Sequence, residues 1–129
     1  MTAAPALAQD QSSAPHVSVE LNAAEPGEGS CKLSFLIVNS HAEPIEKAVY
    51  ETVLFNGNGQ VERLTLFDFG ELPAGRPRVR QFTVNGLACE NLSQILINGA
   101  HECTAPGLAP EACEQGLELA TRTDVELIG

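Results

Sequence analysis

Short runs of alternating apolar and polar residues, each closed by Gly, Pro or Asn, recur along nearly the whole sequence. Residues two apart share a face of an extended strand, so such runs read as half-buried β-strands. His16–Leu21 places Val17, Val19 and Leu21 on one face. Cys31–Asn39 places Cys31, Leu33, Phe35 and Ile37 together and turns apolar on both faces in its second half, as a central strand does. Ile45–Phe55 is rich in Val, Tyr and Thr. Asn56-Gly57-Asn58-Gly59 then returns the chain into Gln60–Phe69, because Asn and Gly tolerate the positive φ of tight hairpins. Within Gln60–Phe69 the apolar parity switches from Leu64 and Leu66 to Phe67 and Phe69, which reads as a β-bulge or a strand break. Arg78–Val84, with Phe82 and Val84 inward, Leu92–Asn98 and Leu117–Leu127 complete seven strands. Gly99–Gly116 forms one long loop, with room for a short helical turn at Pro110–Glu114.

Seven strands at this spacing predict an all-β fold, an immunoglobulin- or fibronectin-III-like sandwich over residues 16–129. The four cysteines allow three pairings. In that topology Cys31 opens its strand at the pole where Cys89 precedes another in the opposite sheet. Cys103 and Cys113 both lie in the long loop at the other pole. The expected bridges are therefore Cys31–Cys89 across the core and Cys103–Cys113 within the loop.

Two disulfides point to an oxidising compartment, a bacterial periplasm or the cell exterior. The opening agrees: Ala6-Leu7-Ala8 before Gln9 has the small-x-small form of a signal-peptidase site. Residues 1–15 thus read as a disordered leader carrying the end of a signal peptide; an ordinary Ala/Pro-rich arm is the alternative. No run approaches the ~18 apolar residues of a membrane-spanning helix. The formal charge of −10, from 17 acidic against 7 basic residues, argues against nucleic-acid partners and anionic membrane surfaces.

The stretches Phe35–Ser40, Val49–Gly59, Leu72-Pro73-Ala74-Gly75 and Phe82-Thr83-Val84 resemble the FxLYD-type exported bacterial domains. The resemblance spans about residues 33–84 and implies an immunoglobulin-like sandwich outside the cytoplasm. It implies no activity. Antibody-type domains match less well, since there is no Trp and Leu87 stands at the tyrosine-corner position.

Catalytic patterns are sparse. There is no Gly-x-Ser-x-Gly elbow, no Cys-x-x-Cys and no Asp-rich calcium loop, and the chain has only three Asp. The expectation is a non-enzymatic binding module without a cofactor, engaging a partner protein or an envelope assembly. Arg76, Arg78 and Arg80 form a basic island in an acidic chain, suited to a carboxylate-rich partner; pairing with neighbouring glutamates is the plainer reading. The alternative function is a metal-binding accessory protein. His16, His41 and His101 fall at one pole of the expected topology, and three imidazoles suit zinc or copper.

Overall fold

The computed structural model describes residues 14–129; the leader and its signal-peptidase motif lie outside them, apart from Ala14 and Pro15. Eight strands, not seven, make two four-stranded sheets: β1 (Val17–Gly27), β2 (Ser30–Asn39), β3 (Ile45–Phe55), β4 (Val61–Leu72), β5 (Arg78–Asn85), β6 (Gln94–Thr104), β7 (Glu118–Thr121) and β8 (Glu126–Ile128). One sheet has the order β5-β2-β1-β7 and the other β4-β3-β6-β8. A single 3-10 turn, Cys89–Asn91, precedes β6.

The inward faces follow the period-two pattern. Val17, Val19 and Leu21 of β1 and Cys31, Leu33, Phe35 and Ile37 of β2 meet Tyr50, Leu54, Phe67, Phe69, Ile95 and Ile97 of the other sheet. Phe35 sits at the centre of an aromatic cluster, its ring centroid 5.5 Å from that of Phe69, 5.6 Å from Phe67 and 6.0 Å from Phe82. Between Asn56 and Gly59 the chain reverses as expected. Asn56 Oδ1 accepts the Asn58 and Gln60 amides, and Gly59 adopts a φ of 77° that a side chain would oppose.

Besides β1, which runs on through Gly27 instead of ending at Leu21 because β2 pairs with it as far as Gly27↔Ser30, three elements differ from the sequence reading. The run Leu117–Leu127 is two strands. Thr121 Oγ1 accepts the Thr123 amide and Thr123 Oγ1 the Val125 amide, each at 3.0 Å, and these local bonds fold the backbone into a corner. As a result β7 lies parallel to β1 in one sheet, while β8 reverses to lie parallel to β6 in the other. Secondly, β6 continues through Thr104, well beyond Asn98, because β3 keeps supplying backbone partners as far as Lys47↔Thr104. Thirdly, there is no break or bulge at Leu66/Phe67. These residues pair consecutively with Glu51 and Tyr50, so the switch in parity marks a strand that is apolar on both faces.

Both disulfides form as expected. Cys31–Cys89 joins the sheets at one pole and Cys103–Cys113 staples the end of β6 to the following loop. Asn39 is buried where β2 ends; its Nδ2 donates to Leu72 O and Glu43 O at 3.0 Å, and its Oδ1 accepts the His41 amide at 2.9 Å.

Candidate interaction surface

The long loop, 105–117, is fixed against the sandwich. Tyr50 Oη, buried beneath it, donates to Cys113 O at 2.7 Å. Glu114 Oε2 accepts the Ala100 amide at 2.6 Å, and His41 Nε2 donates to Ala112 O at 2.9 Å. Ala112 and Cys113 are themselves buried. Burial, with the Glu114 carboxylate as a second cause, pushes the Tyr50 phenol far above its ordinary range.

The three histidines do not converge on one site. Among the described residues no group of three or more His, Cys, Asp or Glu is placed to hold a metal ion. His16 and His41 do share a pole: Ser40, next to His41, bonds the His16 carbonyl through its amide and hydroxyl at 2.9 Å. Each ring is otherwise engaged. His16 Nδ1 lies 2.6 Å from Ala14 O and its Nε2 3.6 Å from Glu118. His101 lies not in the loop but inside β6, at the register shift between Ala100↔Tyr50 and Glu102↔Val49, where a β-bulge leaves it exposed. The extension of β6 is what separates the third imidazole from the other two.

The arginine island is also divided. Arg76 is exposed in the turn before β5. Arg78 Nη1 donates to the adjacent Pro77 carbonyl at 3.0 Å. Arg80 reaches across to the edge of the opposite sheet, donating through Nε to Phe69 O at 2.6 Å and through Nη2 to Glu71 O at 2.9 Å. None of the three forms an ion pair among the described residues, so cross-strand pairing with glutamates is not what holds them. Arg80 caps backbone carbonyls of an edge strand that would otherwise offer them to another chain.

The feature that the sequence reading passed over is the outer face of the β4-β3-β6-β8 sheet. Register places Leu64 opposite Val53, Val53 opposite Leu96 and Leu96 opposite Ile128, an aliphatic row crossing all four strands. Leu66 extends it along β4, and Val61 and Phe55 pair at the end near the hairpin. Leu64 is 59% exposed, Val61 57%, Leu66 47% and Ile128 39%, whereas Val53 in the middle is only 7% exposed because its neighbours cover it. These are four of the five large exposed hydrophobic side chains among the described residues. Together they expose on the order of 300 Å2, within the range of the largest apolar patch on an ordinary monomer, a patch that is often functional.

The borders of the face are polar and mostly anionic. Glu126 pairs with Gln94 at one end, Nε2 to Oε1 at 2.8 Å. Glu51 accepts from Asn98 Nδ2 at 2.7 Å beside Leu66. At the other end Asp68 and Glu102 flank Val49, with Lys47 Nζ 3.7 Å from Asp68.

No family model matches this chain, and no curated protein matches it. Among solved structures it is similar to IrmA from Escherichia coli, with a TM-score of 0.62 at 12% identity over 81% of this chain and 91% of that one. At so low an identity the likeness shows the fold alone: this chain is a disulfide-bridged β-sandwich of the same architecture.

Proposed function

We propose that the protein is an exported, non-enzymatic binding module that engages a partner protein through the outer face of its β4-β3-β6-β8 sheet. The observation that carries this reading is the row Leu64–Val53–Leu96–Ile128 with Leu66 and Val61 beside it. Alternation buries the inward side chains of these strands, so the core does not require Leu64 and Leu66 to be apolar as well. Aliphatic groups retained on a solvated edge strand invite aggregation unless something covers them. Export is supported by the two disulfides, which persist in oxidising compartments, and among the described residues no helix is long and apolar enough to cross a membrane.

A photo-crosslinking amino acid placed at Leu66, or at Val79 on the other sheet as a control, tests the reading in the producing cell. A discrete adduct at Leu66, absent at Val79 and lost when Leu64→Ser is added, is expected. An adduct at neither position, or equally at both, would refute the assignment of the face. Free thiols measured without reduction should be absent; four free thiols in protein from the cell would remove the argument for export.

A further inference from the structure

We infer that the partner of the outer β4-β3-β6-β8 face is a cationic amphipathic segment, an aliphatic stripe flanked by Lys or Arg. The inference rests on the binding-face reading and adds the chemistry of the occupant. The apolar centre supplies contact area, and its borders supply sign. The charged groups that register and contacts place on this face are Glu51, Asp68, Glu102 and Glu126 against Lys47, four carboxylates to one ammonium. Lys47 is already beside Asp68. Glu51 and Glu126 accept bonds only from the neutral amides of Asn98 and Gln94, so their charge is directed but not neutralised. Carboxylates at the edge of a desolvating apolar patch favour cationic neighbours and reject anionic ones.

The same charges argue against the obvious competing occupant, a second copy of this chain. Two such faces brought together would oppose their carboxylate borders, on molecules that each carry −10. Arg80 does not offset this, because it is committed to the Phe69 and Glu71 carbonyls at the sandwich edge. An amphipathic helix or strand with basic flanks meets both requirements, covering the aliphatic row while its cations reach the borders.

The test is a titration of the intact protein with short Leu/Lys peptides, written in helical and in alternating order, alongside Leu/Glu and Ser/Lys versions of each, followed by amide chemical shifts. A Leu/Lys peptide should shift the amides of Leu64, Leu66, Leu96 and Ile128. Its affinity should fall at least about fivefold between ~50 and ~300 mM salt, as screened surface charges require. Glu51→Gln/Glu102→Gln/Glu126→Gln should weaken it about as much without altering the rest of the spectrum. Leu/Glu peptides binding equally well would overturn the cationic partner and leave the face standing. Shifts confined to another surface, binding that survives Leu64→Ser/Leu66→Ser, or no shift with any Leu peptide would overturn the face itself. A concentration-dependent dimer at ~50 mM salt, where the carboxylate borders are least screened, abolished by Leu66→Asp, would assign the face to a second copy and refute the inference.

Discussion

The chain has one tyrosine, and it reports on the docking of the loop that covers it. Tyr50 is fully buried, its hydroxyl donating to Cys113 O at 2.7 Å. In the unfolded chain the phenol ionises near pH ~10. In the folded protein, burial first and the Glu114 carboxylate second keep it protonated well beyond that. Above pH ~10 the unfolded state therefore holds fewer protons than the native state. The stabilising contribution is complete below that pH and is lost as pH rises through it, with a slope approaching ~1.4 kcal/mol per unit. Two units above the unfolded value the loss reaches about 2.7 kcal/mol.

Tyr50→Phe removes the titration and, at neutral pH, leaves the Cys113 carbonyl without its donor at a cost of about 1–3 kcal/mol. Wild type should thus be the more stable protein near neutrality, and the two stabilities should converge as pH approaches ~12. Urea unfolding of both proteins over that range measures the difference directly. The two lysines and the growing negative charge act on both and cancel in the comparison. The reasoning fails if the alkaline slopes of wild type and Tyr50→Phe coincide. It fails equally if phenolate absorbance appears with a midpoint near pH ~10 while circular dichroism shows the protein still folded.

The disulfides should differ by the chain they close: 58 residues separate Cys31 from Cys89 and 10 separate Cys103 from Cys113. Loop-closure entropy assigns them about 4 and about 3 kcal/mol, and losing the long bridge should raise the urea m-value more; the opposite order would place their effect in the native state instead. Arg80→Ala exposes the Phe69 and Glu71 carbonyls on the edge of β4 and should cost about 1–2 kcal/mol. It should also promote association at high concentration in sedimentation experiments. Asn39→Ala strips the buried Leu72 carbonyl, the Glu43 carbonyl and the His41 amide of their partner at once and should cost about 3 kcal/mol in thermal or urea unfolding.

Strand positions and cysteine pairing were legible in the sequence because both follow from local rules. Alternation places Val17, Val19 and Leu21, or Cys31, Leu33, Phe35 and Ile37, on one face wherever the strand goes, and once the strand order is assumed the poles place the cysteines. The misreadings arose where an interaction outside the pattern decided the outcome. Leu117–Leu127 keeps its alternation, yet two threonine hydroxyls bend the chain between Thr121 and Val125, and the period-two rule is blind to such bonds. Gly99 resembles a strand end and predicts a loop at His101, but the ladder with β3 carries β6 past it. Arg76, Arg78 and Arg80 formed an island in sequence; in space Arg80 reaches another sheet. The outer apolar face did leave a signal, the change of parity between Leu66 and Phe67. Apolar residues on both faces of a strand mean either a fault in the ladder or a second surface to cover, and the register Glu51↔Leu66, Tyr50↔Phe67 decides for the surface.

On the proposed binding role, the acidic borders would act on that surface in two ways that salt separates. An aliphatic row on a sheet whose outer strand is an edge would be expected to pair copies of the chain, and the carboxylates of Glu51, Asp68, Glu102 and Glu126 oppose this by facing their own kind. The same carboxylates would attract the cationic segment proposed above. Raising ionic strength shortens the reach of both effects to about 10 Å at 0.1 M and less above it. Self-association should therefore increase with salt while binding of a Leu/Lys peptide weakens, two opposite trends from one set of charges. A face that bound through its aliphatic row alone would instead have both strengthen, or both stay level, as salt rises. The direction of these two trends, measured on the same sample, is the most compact test of what the borders are for.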